Sequence, residues 1–435
     1  MIKKYLIKFN LSINITICLF ISLIFLFGRS FMGLYLLGFR LGELLVGFSL
    51  FVWILFLLNG VFKFVNLEID NNLKNVFYLM PLIFFITLIV KNNILFNTYT
   101  FKSSSYIWTV SIFFAGVFVY QNFDLDKLFI YTLNPILIIS YLFQVFAMPE
   151  EVSNFFLTMG DKFEPHKGSD LTILFVVTFM INSKYFRENR NFYAYVAIFA
   201  ALYMPFLYFK SRASFIAVFL FLLIELIKYR KLIYKQLWLI KGTIVFLISI
   251  LVFLQSVFWV RESGIIKVYE ARENVISLVE YRTQTTIEDA PSLFWISDNR
   301  LYSSDGNLNW RMDIWQDIIL DLNNEDSISF GYGYEGIIPV MEWYNGYRLG
   351  LDGLNEHVHN NWFNIFARGG LFQIAVFIVF YYFLINKYFE KHKNYKILIY
   401  LIPMMFVSFF DASMENAHFP LIYYFFLGRN YILGK

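Results

Sequence analysis

Long apolar runs separated by short polar turns fill most of the chain. Runs long enough, or nearly so, to cross a bilayer lie near residues 11–27, 43–62, 73–90, 105–121, 127–147, 170–183, 191–209, 212–227, 242–259, 362–385, 396–410 and 418–433. A span needs roughly 20 mostly apolar residues, so the pattern predicts about 12 transmembrane helices. The runs are continuous and do not alternate, which excludes barrel strands and makes the fold all-α. The rhythm breaks once, over residues 260–361, which are predicted to form one large loop. The expected organisation is therefore a bundle of about nine helices over 1–259, the loop over 260–361, and three last helices over 362–435.

Within the loop, Asn309 to Leu322 predicts an amphipathic helix. Trp310, Ile314, Trp315, Ile318, Ile319 and Leu322 recur at helical spacing, with Asp313, Asp317 and Asp321 opposite. Tryptophans on the apolar face suit an interfacial helix lying on the membrane surface. The loop then turns at Gly331-Tyr332-Gly333-Tyr334, passes Pro339 and enters the stretch NEHVHNNWFNIFARGGLF, residues 355–372. There a polar, histidine-bearing approach becomes an apolar helix without a break. His359 and Asn360 fall at the predicted helix start, and Gly369-Gly370 lie about three turns in.

Composition agrees with the pattern: 58% of the residues are hydrophobic and only 16% charged, too apolar for a soluble protein and typical of a polytopic membrane protein. Lys3, Lys4 and Lys8 precede the first run, but no small-residue cleavage site follows, so that run is expected to be a span and not a signal peptide. The single cysteine, Cys18, lies inside it, which leaves neither a disulfide framework nor a cysteine metal site. With the N-terminus in the cytoplasm, the inside loops collect Lys184, Arg187 and Arg190, then Lys228, Arg230, Lys231, Lys235 and Lys241, then Lys387, Lys391, Lys393 and Lys396. This obeys the positive-inside rule. The outside loop 148–169 is acidic through Glu150, Glu151, Asp161 and Glu164, and the large loop carries 7 Arg+Lys against 17 Asp+Glu, a net of −10. Such a loop would not bind nucleic acid.

Two arginines and two histidines then fall on the same outer side. Arg212 opens a span after a very short turn, where an arginine either snorkels or has an anionic partner. Its neighbours Ser211, Ala213 and Ser214 permit close approach of another element. Arg311 lies on the amphipathic helix, where the plain alternative is a salt bridge to Asp313 or Asp317. Guanidinium groups bind phosphate oxygens bidentately and keep their charge, so the pair suits a pyrophosphate. A histidine at a helix N-terminus is kept neutral by the dipole, which makes His359 a usable general base; a capping or interfacial role is the alternative. His357 and His359 lack the third ligand of a metal site, so no metal is expected. Asp411 and Glu415, in FFDASMENAHF, could face the same site. Asp124 and Asp126 are a D-x-D in a short turn and are read as a turn.

These pieces together resemble the bacterial O-antigen ligase and polymerase superfamily of membrane glycosyltransferases. The matching pieces are Ser211-Arg212-Ala213, Asn309-Trp310-Arg311 through Trp315, the Gly331/Gly333 turn, and His359-Asn360 followed by Gly369-Gly370; they cover roughly residues 170–430. Before the sixth span the chain departs from the family, having Lys162-Phe163-Glu164-Pro165-His166 where many members show an arginine and Pro-Asn. The resemblance implies a GT-C-like helical fold in the bacterial cytoplasmic (inner) membrane with the large loop periplasmic. It also implies a glycan on undecaprenyl pyrophosphate as substrate, membrane lipid around it and a chain-length regulator protein as partner. In that reading His359 activates the acceptor hydroxyl, Arg212 and Arg311 hold the pyrophosphate leaving group, and His357, Asn360 and Glu415 are secondary site residues. No metal or cofactor is implied, and direct attack inverts the anomeric configuration. A polymerase transfers to an incoming lipid-linked repeat unit, a ligase to the phosphorylated lipid A core. The acidic loop favours the polymerase through long-range repulsion of the core. A lipid-linked oligosaccharide flippase would instead place charges in mid-span, where this chain has few. Lys210, Arg261, Arg272, Arg282 and Arg300 lie on the same outer side without a ranked role.

Overall fold

The computed structural model describes residues 2–63, 66–160, 163–186, 191–237, 240–263, 294–297, 299–343, 347–349 and 356–434. Helices occupy every segment expected to span. They are α1 (Ile2–Met32), α2 (Leu41–Phe62), α3 (Asn71–Val90), the short α4 (Thr98–Ser103) and α5 (Ser105–Trp108), α6 (Ile112–Asn122), α7 (Asp126–Val145), the amphipathic α8 (Glu150–Met159), α9 (Gly168–Phe186), α10 (Asn191–Lys210), α11 (Arg212–Leu237) and α12 (Ile240–Glu262). After the large loop come α15 (Asn361–His392), α16 (Ile397–Phe410) and α17 (His418–Leu433). The chain is thus an all-α polytopic membrane protein.

Among the described residues, seven of these helices are both long and apolar enough to cross a bilayer unaided. The other spans are shorter, interrupted or more polar, and several lie innermost: α17 is buried from His418 to Tyr431, and α9 is buried from Gly168's neighbour Ser169 through Ser183. A helix surrounded by protein need not match the bilayer in length or hydropathy. The outer helices do match it, α12 exposing Phe246, Leu251, Leu254 and Phe258 as lipid-facing side chains would be. The innermost contact is backbone on backbone. A Cβ on Gly116 of α6 would stand 2.3 Å from the Phe425 carbonyl, and one on Gly428 of α17 would stand 2.4 Å from that of Phe113. Asp126, read from sequence as part of a turn, is fully buried at the start of α7, gripped by Arg429 Nε and Nη2 at 2.7 Å each and by Lys184 at 2.8 Å. This ion cluster fixes α17, α7 and α9 at the end of the bundle away from His418.

The loop folds as a second, smaller core. A hairpin of β3 (Phe294–Ser297) and β4 (Arg300–Ser303) precedes α13 (Gly306–Asn324) and the one-turn α14 (Pro339–Glu342); β1 (Tyr35–Leu36) and β2 (Phe39–Arg40) form another hairpin between α1 and α2. The expected amphipathic helix is present, and most of its apolar face packs against protein, Ile319 alone among the apolar positions expected on that face staying exposed. Ile314, Ile318 and Leu322 are wholly buried against Ile338, Val340, Met341 and Val358, and Trp315 donates to the Val358 carbonyl at 2.8 Å while stacking on Phe363. Burial within protein removes the same apolar area from water as a lipid surface would, so helical periodicity alone cannot tell the two apart. Nor is the acidic face free: Asp313 and Asp317 are both held by Arg300 and by the buried Arg348.

The glycine pairs singled out in the sequence meet. Helix α15 kinks at Gly370, whose φ of +68° and ψ of −163° suit glycine alone. The kink frees four backbone groups. Leu371 and Phe372 N–H go to Ile328 and Ser329 at 2.9 and 3.3 Å, while the Ala367 and Arg368 carbonyls accept from Tyr332 and Gly333 at 2.7 and 3.0 Å. The 327–333 turn is thereby laced into the helix by four backbone hydrogen bonds.

Candidate active site

One end of the bundle gathers the starts of α9, α11, α15 and α17, the end of α16, and the N-terminal half of α13. Local sequence explains each position. Gly168 lets α9 approach α11, since a Cβ there would stand 2.6 Å from both Ser211 Cβ and Ser214 Oγ, the small residues noted beside Arg212. Asn360 caps α15, its Oδ1 accepting from the Trp362 and Phe363 amides at 2.8 and 3.1 Å, while its Nδ2 is buried with no hydrogen-bond partner among the described residues. Asp305 caps α13 through Leu308 N at 3.0 Å, and its other oxygen pairs with Arg212.

His359 precedes the cap in a left-handed conformation, φ +53°, uncommon for a residue with a side chain and a form of strain that collects at functional sites. Its ring meets Trp310 edge-on at 5.1 Å. Burial first, and then the positive charges of Arg311 and Lys167 together with His357, hold its pKa well below the ordinary imidazole value. It is accordingly neutral at neutral pH. Arg311 does not make the salt bridge to Asp313 or Asp317, which are occupied by Arg300 and Arg348. It reaches across to the Phe410 carbonyl at the end of α16. The next residue, Asp411, accepts from Ser169 Oγ at 2.6 Å and faces Lys167 Nζ at 3.9 Å. Arg311 and Lys167 therefore flank the same helix end, and both act on His359 through their charge.

His357 takes the other direction. Its Nδ1 faces the Glu415 carboxylate in a close pair, and Glu415 Oε1 is buried with no hydrogen-bond partner among the described residues. Such pairing fixes the imidazole's orientation and leaves Nε2 to face the cleft beside it. Tyr99, Ser103, Ser105, Tyr106, Glu356, Asn364, Arg368 and Lys102 line that cleft with His357, the Tyr106 hydroxyl bonded to that of Tyr334 at 2.9 Å and Ser103 Oγ donating to the Tyr334 carbonyl at 2.6 Å. Burial alone would raise the Glu356 carboxyl, but Lys102 at 2.7 Å and the Tyr99 hydroxyl at 2.8 Å outweigh it and hold it below the usual carboxylate value.

Of the residues expected from sequence, Arg311, His357, His359, Asn360 and Glu415 are thus brought to one place, while Arg212 joins through Asp305 at the start of the helix that carries Arg311. Arg300 is locked to Asp313 and Asp317, Lys210 donates to Gln144 at 3.2 Å, and Arg261 is exposed. Arg272 and Arg282, and the loop residues Asp161, Lys162, Arg187 and Arg190, lie outside the described residues. Sequence reasoning passed over Lys167 and Arg368. Lys167 read only as a loop charge, and Arg368 as one more residue of an apolar helix. Behind Lys167 lies a buried support: His418 Nε2 pairs with Asp170 at 2.9 Å, Asp170 accepts from Lys167 N at 3.0 Å, and His166 bonds the Phe25 carbonyl at 2.9 Å beside the α1 kink at Gly28.

Among the described residues no cluster of three or more His, Cys, Asp or Glu has the arrangement of a metal site. Chemically, the site offers a neutral imidazole, His359, beside two cations, and a separate polar cleft lined by His357. Residues 196–378 match the family model described as O-antigen ligase. The match begins within α10, takes in Arg212, Arg311, both histidines and Arg368, and ends beyond the Gly370 kink; it leaves out Lys167, Asp411 and Glu415. No curated protein matches the chain.

Proposed function

Because the chain carries over residues 196–378 a domain of the O-antigen ligase family, and so belongs to the O-antigen ligase/polymerase superfamily, we propose that it is an O-antigen polymerase. It would work at the periplasmic face of the inner membrane. The observation that carries this reading is a neutral, buried His359 beside the cations Arg311 and Lys167, two residues from His357, which lines the cleft.

The acceptor sugar's hydroxyl enters from the cleft and gives its proton to His359 while its oxygen attacks the anomeric carbon of the donor glycan. The bond from that carbon to the undecaprenyl pyrophosphate oxygen breaks, and the lipid pyrophosphate leaves with the electron pair. Attack from the side opposite the leaving group inverts the configuration. Arg311 and Lys167, with Arg212 exposed beside Asp305, would receive the charge that develops on the pyrophosphate; fixed cations of this kind stabilise a transition state without reorganisation. His357, oriented by Glu415, would hold the acceptor at the cleft mouth, and no metal is required.

The acidic loop supports the polymerase, whose acceptor is a sugar end, over a ligase that must receive phosphorylated lipid A core. A ligase is the second reading, favoured by the matched family's own description. The test is lipopolysaccharide banding in a strain lacking the gene, complemented with wild type, His359→Ala, His357→Ala or Arg311→Ala. A core-plus-one-unit band, restored to a ladder by wild type and not by His359→Ala, supports the polymerase with that histidine as base. Polymer accumulating on the lipid carrier with bare core means a ligase. A full ladder with His359→Ala removes the histidine from the mechanism.

A further inference from the structure

Arg368 lies in the third turn of α15, two residues before the Gly370 kink, and is 5% exposed. Its side chain donates to the Gly336 carbonyl and stands 5.5 Å over the Tyr99 ring. Among the described residues no carboxylate pairs with it. The two carboxylates that share its cleft are engaged elsewhere, Glu356 by Lys102 and Tyr99, and Glu415 by His357. Arginine cannot shed its proton, so a buried guanidinium favours an anionic partner. Arg368 also borders the cleft rather than the packed interior alone.

We propose that Arg368 binds a single carboxylate on the sugar that occupies this cleft, so that the enzyme acts on a repeat unit containing a carboxylate-bearing sugar such as a hexuronic acid. This rests on the glycan-transfer reading above and names its substrate. Lys102 pairs with Glu356 and His357 with Glu415, which leaves Arg368, among the described residues, without a carboxylate of its own. A pyrophosphate would bring at least two negative charges against Glu356 and Glu415. The remainder of the cleft fits a sugar ring. Tyr99 and Tyr106 supply aromatic surface, and Ser103, Ser105 and Asn364 supply hydrogen-bonding groups. A guanidinium fork takes a carboxylate through two parallel hydrogen bonds, and the neutral analogue forfeits both.

The experiment is a titration of the purified full chain with sodium glucuronate, its methyl ester and inorganic pyrophosphate, followed by tryptophan fluorescence. Glucuronate binding at least tenfold tighter than the ester, a preference of about 1.4 kcal/mol, abolished in Arg368→Gln and partly kept in Arg368→Lys, is the expected result. The lysine variant retains the charge, so it separates loss of recognition from loss of folding. Equal binding of acid and ester, or no binding of either to wild type, overturns the proposal. So does pyrophosphate competing for the Arg368 site. Lipopolysaccharide banding separates the two readings: a lost ladder without glucuronate preference sinks only the carboxylate assignment, and glucuronate preference with an unchanged ladder sinks only the polymerase.

Discussion

Replacing Gly370 by alanine tests the seam on which the whole site rests. At φ +68° and ψ −163° an alanine sits in a region open essentially to glycine, a strain of about 1–3 kcal/mol. Its Cβ would also stand 2.3 Å from Ser329 C and O and 2.4 Å from Phe330 N, which are backbone atoms and cannot swing aside. Relief requires the 327–333 turn to part from α15, which breaks some of the four hydrogen bonds across the seam, each worth about 1 kcal/mol net. The expected destabilisation is about 3–5 kcal/mol. Gly369→Ala is a graded control, since at closest approach its Cβ meets side-chain and not backbone atoms, Gln373 Cβ at 2.5 Å and the Tyr334 hydroxyl at 2.8 Å, at a φ that is not left-handed. Gly336→Ala is a neutral one, with open space around the new methyl. The assay is the fraction of detergent-purified protein that stays monodisperse after heating, read beside the ladder in complemented cells. The melting temperature should fall in the order Gly336→Ala, Gly369→Ala, Gly370→Ala, with the ladder lost at the last. Equal stability of the first and last would refute the seam.

Three further outcomes follow from the geometry. Arg311→Gln removes a positive charge that depresses His359, so the imidazole pKa rises and the acidic limb of the activity profile moves to higher pH, measured as transfer rate against pH; an unmoved limb rules out His359 as the titrating base. Because native His359 resists protonation while the unfolded chain takes a proton near pH 6.5, wild type should lose stability as pH falls below about 6.5, and His359→Gln should flatten that loss in thermal melts. At the far end, Arg429→Met strands the buried Asp126 with Lys184 alone and should cost about 3–5 kcal/mol in the same melts, whereas the exposed Lys391 and Glu68 pair should cost under about 1 kcal/mol when broken.

Hydrophobic periodicity determined the all-helical membrane architecture, because a bilayer leaves a chain so apolar no other way to satisfy its backbone. Even the positions of the helices were legible, including the shorter inner ones, and so were several groups that the fold gathers at one end of the bundle: a histidine and an asparagine at a helix start, two arginines upstream, paired glycines. Spacing could not say what those residues would touch. The face of α13 that reads as membrane-seeking is buried under Val340 and Val358, since periodicity records that a face leaves water and not what covers it. Asp126 read as a turn residue because its partner Arg429 lies 303 residues away. Lys167 and Arg368 carried no local signal at all: a lysine in a short loop and an arginine in a helix become cations of a site only when Arg311, Phe410 and Tyr99 arrive from distant segments. Gly331 and Gly370 needed the fold to be understood together, as two halves of one seam between a turn and a kinked helix. Sequence fixes which groups the chain owns and how often they face one way. Charge compensation and close approach depend on distances between segments far apart along the chain, and only the tertiary structure decides those.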